Sequence, residues 1–390
     1  MAAMERTADV VVIGGGAMGA SAAYHVAAAG AGRVVLLERE AGLGLGSTGL
    51  CAGGFRQQFS SEINVRLSQA SVPMIRSFTA DHGLPLDLHV DGYLFVARRP
   101  ATWAAYQAAA AFQRGLGAPV ELLDAADCAA LIPGLETADV FGATFGPEDG
   151  LADPSGLTNG YATLARRAGA GVRTGVTVTA IRTAGGRVAG VDTADGPIDA
   201  PAVVLAAGVW SVALAATVGV TLPVEPLPRH IVVTSPFAGR PERRTMVIDG
   251  ESAFYFHREG EGVLMGMPVA GEHPTWDPAV DDRFIAEELL PRALEFYPPI
   301  EAAGLQTAWT GFYEMTPDRH AILGPVAALP GLQLAVGFSG HGFQHAPIVG
   351  KLLAEIVVDG QAHTVDISTL GLDRFAAGPA VAPAAEGHVV

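Results

Sequence analysis

Val10-Val11-Val12-Ile13-Gly14-Gly15-Gly16-Ala17-Met18-Gly19 decides how this chain is read. The unbroken branched apolar run predicts a strand buried on both faces. Gly14, Gly16 and Gly19 then form G-x-G-x-x-G where the strand gives way to an Ala-rich helix over residues 18–29. A second strand, residues 34–37, completes a βαβ unit, and Glu38 stands at its end. The glycines let backbone approach a pyrophosphate, and the helix N-terminus supplies amide donors. Glu38 accepts from ribose hydroxyls and disfavours a 2′-phosphate. The spacing therefore predicts a bound dinucleotide without separating FAD from NAD.

Further along, glycine-rich segments at 44–54 and 337–342 are too many for one nicotinamide dinucleotide and imply an extended cofactor. Residues 93–96 read as a strand and 102–116 as a helix with no phosphate-binding turn. Asp153, Pro154 and Ser155 suit a helix cap and first turn. Strands are predicted over 172–181, 188–191 and 203–205, the last a buried parallel strand. Alternating segments between 230 and 309, such as 253–257 and 263–267, predict an antiparallel sheet. Residues 332–336, 337–342 and 346–358 again read strand, glycine turn, helix, so the first domain closes near the C-terminus. The Ala, Pro and Gly-rich segment 376–390 reads as a frayed tail.

At 390 residues the chain is long enough for one large or two interleaved domains without disulfide or metal staples. Its net charge of -16 repels phosphate backbones and anionic lipid, which argues against nucleic-acid and membrane-surface partners. The same field disfavours an anionic substrate, so a carboxylate site needs local arginines. Residues 199–225 carry no charge between their ends, but Pro201, Gly208, Ser211, Gly219 and Pro223 break them, and a buried strand and turn explains them better than a membrane span. Only Cys51 and Cys128 are present, with no metal-ligand spacing, and both read as small buried thiols. With no signal peptide ahead of the first strand, a cytoplasmic setting is expected.

Val11 to Gly16, Gly46-Ser47-Thr48 through Arg56, Leu205-Ala206-Ala207-Gly208-Val209-Trp210 and Gly337-Phe338-Ser339-Gly340-His341-Gly342-Phe343 together resemble the D-amino acid oxidase superfamily of flavoproteins. Within it the chain is similar to the branch holding sarcosine oxidase, glycine oxidase and proline dehydrogenase beta subunits. The resemblance implies an α/β fold. Its Rossmann-type FAD-binding domain, of the glutathione reductase type (1–83, 147–225 and 318–378), is interleaved with an α+β substrate domain containing a large antiparallel sheet (84–146 and 226–317). Residues 379–390 are left as a flexible tail.

It further implies that Gly340, His341, Gly342, Phe343 and Gln344 meet the flavin ring, that Val176 meets the adenine end and that Ala207 and Gly208 line the pyrophosphate. Gly14, Gly16, Ala17, Met18, Gly19, Glu38, Arg39, Ser47, Thr48 and Trp210 are expected along the same cofactor. Gly54, Phe55, Arg56 and Gln57 are expected beside the ring. Backbone amides at a helix N-terminus stabilise the negative charge of reduced flavin. Where similar enzymes attach FAD through cysteine, this chain has Gly311, so non-covalent FAD is expected.

On the substrate side, Arg56 is the cationic candidate, able to raise flavin electron affinity or to hold a carboxylate. Tyr313 lies in a family-like stretch, residues 311–320, that forms a substrate-facing wall in similar enzymes. Tyr255, His257 and Gln344 are further catalytic candidates, and alternation on one strand sends Tyr255 and His257 to one face and Arg258 to the other. His230, His341 and His345 read equally well as structural residues. Lys351 is the only lysine, so Gln344 stands where N-methyl amino acid oxidases carry a carboxylate-binding lysine, and residues 263–266 hold none to promote oxygen attack.

The resemblance implies hydride transfer from a small amine or amino acid of the proline, hydroxyproline or sarcosine type to flavin N5, followed by imine hydrolysis. Oxygen, a quinone or another redox subunit takes the electrons, with a dehydrogenase favoured. The alternative is a non-catalytic FAD-containing assembly factor or a subunit of a heteromeric dehydrogenase.

Overall fold

The computed structural model describes residues 6–376 and 385–387. The apolar run that opens the chain is the strand Val10–Ile13, fully buried and flanked on both sides by parallel partners, Val34–Leu37 and Ala202–Leu205. They belong to a six-stranded sheet, in the order Ile322–Pro325, Leu332–Val336, Ala202–Leu205, Val10–Ile13, Val34–Leu37, Gly171–Arg173. Only Ile322–Pro325 runs antiparallel to its neighbour. Central strands of such a sheet face apolar layers on both sides, and each fully buried Val or Leu contributes about 1.5–3 kcal/mol.

One face is covered by the helices Ala17–Ala28 and Gly342–Asp359, the other by a three-stranded antiparallel sheet, Val178–Ala184, Arg187–Thr193 and Gly196–Asp199. A Cβ on Gly350 would fall 2.2 Å from Ser21 Oγ, so the two helices touch almost backbone to backbone. That contact fixes the N-terminus of the second helix, which carries the 337–342 glycine turn, beside the N-terminus of the first.

The second sheet has eight strands, ordered Leu305–Met315, Glu225–Thr234, Gly262–Met267, Tyr255–Glu259, Met246–Asp249, Tyr93–Ala97, Gly142–Gly146, Glu121–Leu123. Its outer face packs on a core containing Phe256, Phe296 and Tyr297; its inner face carries Tyr93, Tyr255, Ile231 and Leu264 towards the first domain. A small sheet of Gly54–Phe55, Gly150–Ala152 and Leu88–His89 joins the two units.

Two expectations are corrected. Residues 172–181 are not one strand: Gly171–Arg173 and Val178–Ala184 lie in different sheets, separated at Gly175, whose φ of +73° suits glycine. The break lets the Val176 N–H reach the Glu38 carbonyl at 2.8 Å, across the end of the parallel sheet. The segments between 230 and 309 pair antiparallel as expected, and Tyr93–Ala97 joins the same sheet parallel to Met246–Asp249, where two separate chain segments meet. The last long helix starts at Gly342 rather than 346, so Pro347 sits inside it without an amide to donate.

Among the described residues no helix is long and apolar enough to cross a membrane. Residues 199–225 include the strand Ala202–Leu205, the turn Gly208–Trp210 and the helix Ser211–Ala216. Of the tail 379–390, only residues 385–387 lie among those described. There the buried carboxylate of Glu386 accepts from the Ser60 N–H at 2.7 Å, the Ser61 N–H at 3.1 Å and Asn64 Nδ2 at 3.1 Å, at the start of the helix Glu62–Arg76.

A buried ion pair clasps the C-terminal region to the sheet. Arg374 Nε and Nη2 donate to the two Asp318 oxygens at 2.8 and 3.1 Å, with side chains 4% and 7% exposed. Burial alone pushes the Asp318 carboxyl up, but the bonds and charge of Arg374 outweigh it and hold the group below its ordinary value. Arg374→Met is expected to cost about 3–5 kcal/mol by stranding Asp318. The stabilisation is complete above about pH 4 and is lost as pH falls through the lowered folded value, so denaturant midpoints of the two proteins should converge in acid.

Candidate functional site

A cavity of about 580 Å³ runs along the C-terminal ends of the parallel strands, where an α/β sheet presents its ligands. Its floor is the first glycine turn. Gly14 has a φ of +105°, and a Cβ there would lie 2.4 Å from the Ala206 carbonyl oxygen. A Cβ on Gly19 would lie 1.8 Å from the Gly14 carbonyl oxygen, so Gly19 closes the turn and does not line the cavity. Gly16 differs: it precedes the helix at a φ of -77°, and its missing Cβ would meet only Thr48, at 3.0 Å from Oγ1. Gly16 therefore leaves open the space in front of the helix N-terminus, where amides favour an anion.

Around this floor the structure collects Ala17, Met18, Glu38, Arg39, Ser47, Thr48, Val176, Ala207, Gly208 and Trp210 on the cavity wall. Glu38 accepts from the Gly15 N–H at 2.6 Å and the Glu40 N–H at 2.8 Å, which holds its carboxylate at the groove's end. The Arg39 guanidinium lies 4.1 Å over the Trp210 ring. Thr48 Oγ1 accepts from the Ala17 N–H at 3.1 Å, and Ser47 Oγ donates to the Phe312 carbonyl at 2.7 Å, tying the glycine-rich segment 44–54 to both units. A glycine cradle at a helix N-terminus and an acidic far end in a groove of this volume fit a dinucleotide such as FAD.

The groove shares Ala17, Met18, Ser47, Thr48, Leu50, Phe312 and Glu314 with a second cavity of about 100 Å³. That cavity in turn shares Tyr255, Tyr313, Gly340 and Phe343 with a third of about 60 Å³. The third is lined also by Gly54, Arg56, Tyr93, His341 and Gln344. Together they form a small chamber between the 337–342 turn and the inner face of the large sheet.

Arg56 is 4% exposed, its guanidinium 4.0 Å over the Phe59 ring and 5.4 Å from the Phe95 ring, with Nη1 donating to the Gln58 carbonyl. Burial lowers its pKa from the ordinary value while Tyr93, Glu386 and Asp149 act in the other direction. Gln344 is committed to it: Oε1 accepts from the Arg56 N–H at 2.8 Å, and Nε2 donates to the Arg56 carbonyl at 3.2 Å and to Ser68 Oγ at 3.1 Å. The amide imitates a strand partner and fixes the Arg56 backbone. Gln344→Leu strands a buried N–H and C=O, so a loss of about 1–3 kcal/mol in urea unfolding is expected.

Strand alternation turns Phe55 and Gln57 away from Gly54 and Arg56, and neither lines a cavity. Phe55 sits in a core with Phe78 and Tyr161, and the Gln57 N–H donates to Asp149 Oδ1 at 3.0 Å. His257 is buried, lines none of these cavities, and donates from Nδ1 to the Arg258 carbonyl at 2.8 Å; burial pushes it to about 4. His230 Nε2 accepts the Asp281 N–H at 3.0 Å, and His345 Nε2 lies 2.9 Å from Ser68 Oγ. His341 does line the chamber, and burial pushes it to about 3. Cys51 also lines it, its Sγ 3.1 Å from the Thr48 carbonyl and its pKa pushed by burial to about 11.

Sequence reasoning missed three site residues, Tyr93, Arg229 and Glu314, and, outside the cavity lining, the buried Asp149. Tyr93 lines the chamber from the inner sheet face. Arg229 lines it too, 4.8 Å from the Tyr313 ring and bidentate to Glu272, one bond being 2.7 Å. Asp149, behind Gln57, is pushed by burial to about 8. Glu314 stands between groove and chamber. Arg229 shares a face with Ile231 by strand alternation, and a search for cations on the inner face would have found it.

A family model described as FAD dependent oxidoreductase, DAO, matches residues 9–356. The chain is 32% identical over 420 residues to FAD-dependent oxidoreductase domain-containing protein 1 of Xenopus laevis, covering 94% of this chain and 82% of that protein. It is 30% identical over 385 residues to the mitochondrial sarcosine dehydrogenase of Homo sapiens, covering 95% of this chain and 41% of that protein. The solved L-proline dehydrogenase from P. horikoshii superposes with a TM-score of 0.90 at 29% identity, covering 96% of this chain and 99% of that one. With the glycine cradle, the acidic groove end and the second glycine turn in place, the chain belongs to the DAO family of FAD-dependent oxidoreductases.

Proposed function

We propose that this protein oxidises the C–N bond of a small amino acid, a secondary or cyclic one of the proline, hydroxyproline or sarcosine type. The observation that carries the reading is Arg56, a buried guanidinium on the wall of a chamber of about 60 Å³ in a chain of net charge -16. A cation held there against the overall field suits a substrate carboxylate. The names of two similar proteins, a sarcosine dehydrogenase and an L-proline dehydrogenase, support the substrate class.

Bound FAD supplies the two-electron acceptor for hydride leaving the carbon beside nitrogen. Arg56 anchors the carboxylate. Tyr93, Tyr255 and Tyr313 keep their protons because burial raises all three, so they act as hydrogen-bond donors without adding negative charge. His341, pushed to about 3, stays neutral and does not repel a cationic ligand. The amine therefore sheds its proton to water before reacting, and turnover rises with pH as the neutral amine becomes available.

The FAD is dissociable in this reading, since Gly311 offers no sulfur and the Cys51 thiol is pushed up to about 11. The strand Gly262–Met267 carries no lysine, and Lys351 is exposed on the helix Gly342–Asp359, which favours a quinone or redox subunit over oxygen as acceptor. We assign 1–83, 147–225 and 318–378 to the FAD-binding domain, because all six strands of the mostly parallel sheet fall there, and 84–146 and 226–317 to the substrate domain.

The test is steady-state turnover of the FAD-loaded protein with proline, hydroxyproline and sarcosine, using an artificial dye or air as acceptor. Dye reduction by one of them with slow oxygen use is expected, sarcosine releasing formaldehyde. Turnover confined to primary amines, or absent with every amino acid, contradicts the reading.

A further inference from the structure

One carboxyl at the join of groove and chamber has no part in this chemistry. Glu314 lies on the strand Leu305–Met315, opposite Pro226, and lines both the 580 Å³ and the 100 Å³ cavities. Its Oε2 is closed off from solvent and has no hydrogen-bond partner among the described residues. The backbone amides of Gly337 and Phe338 face the carboxyl, and the Glu314 carbonyl accepts the Ser339 N–H at 3.1 Å. The residue is thus fixed to the turn that opens the helix Gly342–Asp359.

Among the described residues no arginine forms an ion pair with it. Arg229, on the neighbouring strand, is held by Glu272, and Arg39, across the groove, stacks on Trp210. A partly buried carboxylate whose one enclosed oxygen lacks a partner is costly. A neutral carboxylic acid divides the same surroundings better: its carbonyl oxygen accepts from the amides, and its hydroxyl is left to donate to something that is not protein. The groove is the one the family's cofactor fits, and that cofactor is rich in acceptor oxygens and carries an anionic pyrophosphate that a second negative charge would repel.

We propose that Glu314 contacts the cofactor, its Oε2–H donating a hydrogen bond to bound FAD. Burial, opposed by the two amides, already pushes this carboxyl up to about 7, so FAD binding near neutrality draws a proton onto it. The other titratable and charged groups around the join are Tyr313 on its own strand, Arg229 with Glu272, His341 and Cys51 in the chamber, and Glu38, Arg39 and Glu40 along the groove. Of these, His341 titrates at about 3 and Cys51 at about 11, outside the range tested.

The experiment dilutes the FAD-loaded full chain between pH 6 and 8 and reads released FAD by recovery of its fluorescence. If only the protonated form binds well, Kd rises about tenfold across that range. Glu314→Gln, which keeps a donor but cannot ionise, is expected to hold Kd constant within about twofold. A pH indicator in weak buffer should also record proton release when FAD leaves the wild-type protein at pH 7. A flat wild-type Kd, absent proton release, or an unchanged slope in a folded Glu314→Gln protein overturns the proposal. No substrate enters these measurements, so they stand or fall separately from the amino-acid reading.

Discussion

Gly16→Val should give a folded protein that purifies without FAD. Gly16 is the glycine of the cradle whose side-chain position is open: its backbone is not left-handed, and only Thr48 Oγ1, at 3.0 Å, limits a Cβ. The isopropyl group therefore enters the space before the helix N-terminus and not the protein core. Losing two or more amide contacts to a pyrophosphate, each about 1.5–3 kcal/mol, weakens FAD by at least about 100-fold. Gly14→Val is a poorer test, since its Cβ strikes the Ala206 backbone at a φ of +105° and disturbs the sheet itself. Absorbance at the flavin band, with circular dichroism as the control for folding, decides the matter. FAD retained at full stoichiometry would place the cofactor elsewhere.

Arg56→Ala is expected to keep FAD and lose most of its reduction by substrate. The guanidinium lies on the chamber wall and outside the groove lining, so the cofactor cradle is left intact. Removing a charge-assisted anchor for a carboxylate costs about 2–4 kcal/mol, or roughly 30- to 1000-fold in kcat/KM. Arg56→Lys should recover part of it, because a point charge replaces a planar fork. Stopped-flow reduction under anaerobic conditions reads this directly. An unchanged rate in Arg56→Ala would remove Arg56 from the site.

The cofactor half of the site was written locally in the sequence. Strand Val10–Ile13, the three glycines and Glu38 lie within one βαβ unit, where spacing carries the geometry, and the 337–342 turn repeats the pattern. The chamber was less legible because it is assembled from distant strands. Tyr93, Arg229, Tyr255 and Tyr313 come from four strands of one sheet, and a single residue on a strand has no spacing signature. Gln344 shows the same limit: its position after the glycine turn was evident, but its clamp on Arg56 spans 288 residues.

Composition and periodicity are likewise silent where structure depends on one long-range contact. Glu386, one of the three described residues beyond 376, accepts from Ser60, Ser61 and Asn64 at the start of the helix Glu62–Arg76. The apolar pattern of residues 172–181 hid the left-handed turn at Gly175, which carries Val176 to the groove. In both places the deciding energy is a hydrogen bond to a partner far away in sequence, which neither propensity nor periodicity reports.

The most direct measurement is an anaerobic visible spectrum of the FAD-loaded protein as proline, hydroxyproline, sarcosine, glycine and both alanine enantiomers are added in turn. Bleaching of the flavin band by a secondary or cyclic amino acid is the expected result, with the primary amino acids slower. A yellow protein that none of them bleaches would contradict the account and point to FAD held for assembly rather than for chemistry.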